Sequence, residues 1–142
     1  MSKIVRFARN YPFSAICILL IWVLSLAPYF PETPLDHVAF IDKWTHFVMY
    51  GGTCAVIWWE YLRNARRRTD GKSGLGGLST SRFPLFTFVS LVALGGLMEL
   101  LQAYATTTRS CEWLDFWADS VGVLLGTAVG LAMSRLWFKA QK

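Results

Sequence analysis

Four stretches of this chain are apolar enough to cross a bilayer, and that limits the fold more than any motif does. Residues 12–30 and 85–98 carry no charged side chain, residues 46–59 carry only His46, and residues 116–133 carry only Asp119. A spanning helix needs about 20 residues at 1.5 Å rise, with some tolerance for tilt and anchoring flanks. The spacing predicts transmembrane helices over 12–30, 44–62, 84–105 and 113–138. The expected fold is a single all-α domain over 1–142, a polytopic four-helix membrane bundle. With 54% hydrophobic and only 16% charged residues, the composition does not suit an ordinary soluble domain.

The basic residues orient the bundle. The N-terminal tail holds Lys3, Arg6 and Arg9, and the C-terminal end holds Arg135, Lys139 and Lys142. The central loop holds Arg63, Arg66, Arg67, Arg68, Lys72 and Arg82, so 12 of the 14 basic residues fall on one side of a four-span chain. Only Lys43 and Arg109 fall on the other. The positive-inside rule then makes both termini cytoplasmic. The net charge of +5 reflects this topology, and no soluble basic fold is present to bind nucleic acid. The first apolar segment is read as a retained helix, because Ser25-Leu26-Ala27 is followed by Pro28, a poor residue just after a cleavage point.

The linkers differ. The outer loop from 31 to 42 holds Pro31 and Pro34, which favour a turning path. The loop from 64 to 83 is rich in Gly, Ser and Arg and reads as a flexible basic cytoplasmic segment. Glu60 beside Arg63 and Asn64 is expected to form a helix-end ion pair. Tyr11, Tyr29, Trp44, Trp58, Tyr61, Trp113 and Trp137 lie near span ends and read as interfacial anchors. Cys17, Cys54 and Cys111 form no C-x-x-C pair and are expected to be small packing residues or a loop thiol.

The polar groups converge on the outer ends of the helices. Asp42, His46 and Tyr50 stand at i, i+4 and i+8, so they share one stripe on the second helix, with Lys43 beside them. Glu99 and Gln102 stand at i and i+3 near the end of the third. Asp115 and Asp119 stand at i and i+4 on the fourth, preceded by Glu112 and, in the loop, Arg109. Gly122, Gly126 and Gly130 continue the Asp119 face. Small residues at four-residue spacing let helices pack closely in lipid, so this row is expected to be a packing seam. Each buried ionisable group costs about 3 kcal/mol or more at membrane depth, so the cluster needs a structural or functional reason.

Three pieces carry a resemblance. They are Asp42-Lys43-x-x-His46-Phe47-x-x-Tyr50, Glu99-x-x-Gln102, and Arg109-Ser110-Cys111-Glu112-Trp113-Leu114-Asp115 running into Asp119-x-x-Gly122-x-x-x-Gly126. In order and spacing the chain resembles the VanZ-like family of small bacterial membrane proteins, from about Pro28 to Gly130. It departs at Asp119, where the family often has Asn, which places an ionisable group where the pattern carries an amide. The resemblance implies a link to the cell envelope, since some members accompany glycopeptide-resistance genes and the name-giving member is linked to teicoplanin resistance.

Three functions fit these residues. In the first, the cluster binds an outer-leaflet amphiphile: a membrane lipid, a lipid-linked envelope precursor or a lipoglycopeptide. Arg109 and Lys43 would meet phosphate or carboxylate, and the acids and Tyr50 would meet sugar, peptide or amine groups. In the second, His46 acts as a base and Glu99 as an acid in an intramembrane enzyme, or His and carboxylates hold a metal. In the third, the cluster is a polar knot that only fixes the helices. No H-x-x-x-H or H-E-x-x-H is present, so no metal or other cofactor is expected. A non-enzymatic role is favoured, and homo-oligomerisation is compatible with it.

Overall fold

A computed structural model describes residues 3–27, 40–69, 82–105 and 112–139. The described residues are helical, with no strand among them. In chain order the helices are α1 (Lys3–Asn10), α2 (Pro12–Leu26), α3 (Ile41–Thr69), α4 (Phe83–Ala105) and α5 (Trp113–Lys139).

Several boundaries differ from the sequence expectation for physical reasons. The basic tail begins as helix α1, broken from α2 at Tyr11 (φ −132°, ψ 60°) where Pro12 opens the next helix. α2 ends at Leu26, short of the expected residue 30. Ala27 is extended (φ −62°, ψ 125°), as expected of a residue whose helical conformation is disfavoured by a following proline, Pro28. α3 runs on to Thr69, so residues 64–69 continue the helix instead of opening the loop. Ala and Arg are good helix formers, and the basic run extends the helix. The rest of that loop and residues 28–39 lie outside the described residues.

Among the described residues, two helices contain segments long and apolar enough to cross a membrane, Phe83–Tyr104 in α4 and Trp113–Leu136 in α5. Only 28% of each apolar window is buried within the chain, unlike the core helix of a soluble protein. Their outward faces carry Leu85, Phe86, Leu100, Leu124 and Leu136. α2 is apolar but has 15 residues, about 22 Å of helix.

α3 and α5 form the closest pair. Phe47, Gly51, Cys54 and Trp58 on α3 face Gly122, Gly126 and Gly130 on α5. A Cβ on Gly122 would strike the Phe47 carbonyl oxygen, and one on Gly130 would fall on the Trp58 ring. One on Gly126 would sit 2.7 Å from both the Gly51 carbonyl oxygen and Cys54 Cβ. At Gly122 and Gly126 backbone meets backbone, and at Gly130 the Trp58 ring lies against α5, because nothing larger than hydrogen projects from α5 there.

The core grows outward from the seam. Trp58 packs edge-on to Phe83 (ring centroids 5.1 Å), and Phe83 stacks on Tyr61 at 3.7 Å. Ile21 from α2, Leu91 and Met98 from α4 and Val123 from α5 complete the cluster. α2 is held on α3 by a buried acid. The Glu60 carboxylate accepts hydrogen bonds from the Phe13 and Ser14 backbone N–H groups (3.2 and 2.8 Å) and from the Ser14 hydroxyl (2.5 Å). It therefore caps the open amide end of α2 from a neighbouring helix, where the positive end of the helix dipole favours an anion. The expected Glu60–Arg63 ion pair is not among those of the described residues. The Arg63 guanidinium instead lies over the Trp59 ring, 5.0 Å from its centroid.

The seam makes a testable contrast. Gly130→Ala should lower stability in detergent by about 1–3 kcal/mol, the usual range for overpacking a fitted contact. Gly52, which has open space at its Cβ position, should tolerate Ala and gain up to about 1 kcal/mol from helix propensity. Thermal melting of the two variants measures the difference, and equal melting would remove the seam from the account of stability.

Candidate functional site

The polar cluster forms where the first turns of α3 and α5 meet the last turns of α4. Lys43 projects from the start of α3 toward the start of α5. Its ammonium is 2.9 Å from Asp115 Oδ1, 3.5 Å from Asp42 Oδ2, and bonded to Glu112 Oε2. Burial would lower the Lys43 pKa, but the hydrogen bonds and negative charges of Glu112 and Asp115 outweigh it, and the net shift is upward. The ammonium therefore stays charged well into alkaline conditions. Asp115 is 6% exposed at its side chain, so Lys43 compensates a carboxylate with little access to water.

One turn deeper, His46 Nδ1 is 3.0 Å from Asp119 Oδ1, and both side chains are buried. The second oxygen, Asp119 Oδ2, has no hydrogen-bond partner among the described residues. It rests against Gly95 of α4, where a Cβ would come within 2.9 Å of it, so the missing side chain at Gly95 makes its space. Glu99, one turn along α4, accepts the Glu112 backbone N–H through Oε2 at 2.9 Å. That bond caps α5 from the end of α4. Glu99 Oε1 is buried with no partner among the described residues, and so is the Tyr50 hydroxyl.

The structure brings together eight of the ten polar candidates. Asp42, Lys43, Glu112 and Asp115 form an outer, half-wet layer, and His46, Tyr50, Glu99 and Asp119 a dry inner one. Gln102 serves a different contact. Its Nε2 donates to the Ser25 carbonyl at 2.9 Å and ties α4 to the end of α2. Arg109 lies outside the described residues.

Beside the cluster, a groove of about 530 Å³ runs between α3 and α5. Its walls are Phe40, Trp44 and Phe47 from the α3 side and Leu114, Trp117, Ala118 and Val121 from α5, with Lys43 the one charged lining residue. Phe40 takes a positive φ of 59°, uncommon for a bulky residue, and turns the chain into α3 at the groove's edge. Trp44, expected from the sequence as an interfacial anchor, lines this groove, which is not among the sequence expectations. The available signal was the pairing of Trp44 with Phe47 at i and i+3 and of Leu114 with Trp117 at the same spacing. Each makes an aromatic or apolar ridge on one helix face.

No protein-family profile, curated protein or solved structure matches this chain.

The outer layer predicts strong coupling. Lys43→Met should destabilise the protein by about 1–3 kcal/mol, because it leaves buried Asp115 without its charge partner. Adding Asp115→Asn should recover part of that loss. A double-mutant cycle by thermal melting should show an interaction energy well outside additivity, and strict additivity would mean that the pair contributes nothing.

Proposed function

We propose that this chain is a multi-pass membrane protein of the bacterial inner membrane that holds a lipid or lipid-linked cell-envelope amphiphile. The observation that carries this reading is the groove: an apolar trough with aromatic walls that ends on one lysine and its carboxylates. An acyl or polyprenyl chain would lie along Trp44, Phe47 and Trp117. The head group would meet Lys43 through phosphate, and the half-exposed Asp42 and Glu112 carboxylates through amine or hydroxyl donors. Aromatic walls with a few convergent polar groups are the usual make-up of a small-molecule site. The resemblance to VanZ-like proteins agrees with an envelope ligand, including a glycopeptide-resistance role, as analogy alone.

In this reading all four long apolar segments span, with both termini in the cytoplasm. The supports are the segregation of basic residues and the apolar outward faces of α2, α4 and α5. The polar cluster then faces the outer leaflet. An impermeant thiol reagent on intact cells should label Cys111, which lies outside the described residues, and spare a cysteine introduced at Ser73. The reverse pattern would move the cluster to the cytoplasmic leaflet.

Filling the groove tests the ligand. Ala118→Trp should reduce phosphatidylethanolamine and polyprenyl phosphate retained by the delipidated protein severalfold in native mass spectrometry. Val89→Trp, on the exposed face of α4, should leave retention unchanged. The closed pairs Lys43–Asp115 and His46–Asp119 favour a second reading, a polar knot without a ligand. Equal retention by both variants at equal melting temperature would make that second reading the better one.

A further inference from the structure

The inner layer holds more oxygen than its hydrogen bonds use. His46, Glu99 and Asp119 each place one ligand atom within 4.8 Å of the other two. They come from three different helices, α3, α4 and α5, and are between 1% and 4% exposed. Two of their oxygens, Glu99 Oε1 and Asp119 Oδ2, have no hydrogen-bond partner among the described residues. A third group stands with them. Tyr50 is fully buried, lies one turn below His46 on the same stripe, and has a hydroxyl without a partner among the described residues. That hydroxyl is within electrostatic reach of both the Glu99 and the Asp119 carboxylates. A buried carboxylate oxygen with no donor costs about 1–3 kcal/mol, so Glu99 Oε1 and Asp119 Oδ2 each call for a donor or a cation.

The charges agree. Five carboxylates (Asp42, Glu99, Glu112, Asp115 and Asp119) face Lys43 and His46 among the described residues of the cluster. Lys43 is already engaged by Asp42, Glu112 and Asp115 in the outer layer. Its bonds leave the inner carboxylates with His46 alone. A second trio, Asp42, His46 and Asp115, also lies within 4.8 Å. It is the poorer site, because Asp42 is exposed and Asp115 already holds Lys43.

We propose that His46, Glu99 and Asp119, with the Tyr50 hydroxyl beside them, bind one divalent first-row transition cation of the Zn²⁺ or Mn²⁺ class at the junction of α3, α4 and α5. The donor set selects the class. One imidazole favours transition metals over Mg²⁺ and Ca²⁺, two carboxylates suit Zn²⁺ and Mn²⁺, and the absence of a thiolate from the set disfavours Cu⁺. Bonds of 2.0–2.2 Å would draw the donor atoms to roughly 3.3–3.6 Å apart, a small closing movement from their present spacing. Because the ligands come from three helices, no linear spacing in the sequence could display them. The cation would also clamp α4 to the α3–α5 pair. This site stands independently of the amphiphile in the groove.

The chain has two histidines, His46 and His37, which makes the test specific. Tag-free protein in detergent, stripped with EDTA, is titrated with Co²⁺ and Zn²⁺. The wild type should bind one Co²⁺ per chain, with visible d–d absorption and a paramagnetically shifted imidazole proton signal. Its melting temperature should rise with Zn²⁺. His37→Gln, which leaves His46 as the one histidine, should keep the shifted signal and the stoichiometry. His46→Gln and Glu99→Gln should lose one-to-one binding while helical content is retained. If either of those two variants does not fold, the wild type and His37→Gln decide. No one-to-one Co²⁺ binding in the wild type, loss of the shifted imidazole in His37→Gln, or undiminished binding in folded His46→Gln would each overturn the proposal.

Discussion

Hydrogen in place of a side chain at three positions of α5 sets the distance at which the rest of the structure is built. Lipid tails are as apolar as leucine, so helices in a bilayer gain little from the hydrophobic effect and depend on close van der Waals contact. Gly122 against Phe47 and Gly51, Gly126 against Gly51 and Cys54, and Gly130 against Trp58 give that contact along a continuous line. The register continues upward. One turn above the Gly122 contact, Asp119 meets His46, and one turn higher Asp115 meets Lys43. The ion pairs are short because the glycines below them are bare. A side chain on the seam would push the helices apart and stretch both polar layers, so the packing and the electrostatics are one constraint.

α2 and α4 are then fastened to this pair by polar clasps at their ends. Glu60 caps the start of α2, and Gln102 donates to Ser25 near its end. Glu99 caps the start of α5 from α4. Each clasp satisfies a backbone group that a helix terminus leaves open. In an apolar surrounding such a group has no water to turn to, and its cost would be several kcal/mol. This explains why the chain tolerates a fully buried Glu60. The acid meets two amide donors, a hydroxyl and the positive end of a helix dipole, which together offset part of its desolvation.

The helices α2 to α5 were legible in the sequence because apolar runs and their proline and charge boundaries are local, whereas α1 and the basic end of α3 carry no apolar run and were not. The stripes Asp42–His46–Tyr50 and Asp115–Asp119 and the row Gly122–Gly126–Gly130 were legible for the same reason, since the 3.6-residue period places them on one face without reference to any neighbour. The choice of partners was not legible. Whether Lys43 meets Asp115 or Glu99, and whether Gln102 faces the acids or Ser25, depends on the relative register and rotation of two helices, which no single-helix pattern contains. Glu60 shows this best. Its neighbours at i+3 and i+4 suggested a pair on its own helix, but the open amides of α2 are stronger partners and come from 46 residues away. The groove was missed for a related reason, because its two aromatic ridges are unremarkable until they face each other.

The two polar layers answer differently to the question of whether the cluster is only structural. The outer layer has its own cation, with Lys43 serving three carboxylates at once, although Asp115 Oδ1 makes only the ion-pair contact. The inner layer has His46 alone. Its histidine satisfies one oxygen of Asp119 and the α5 cap one of Glu99, while Asp119 Oδ2, Glu99 Oε1 and the Tyr50 hydroxyl are left without partners among the described residues. Partly satisfied buried networks are less stable than apolar packing of the same shape, so stability by itself gives no reason for Tyr50 where Phe would fill the space. Asp119 has the same sense: an Asn in its place could donate a hydrogen bond to a neighbouring acid, whereas an Asp can only accept while ionised. Two acids and a phenol around one imidazole, walled from water by the glycine-tight α3–α5 contact, make an arrangement in which a cation completes the bonding that the protein's own groups leave open.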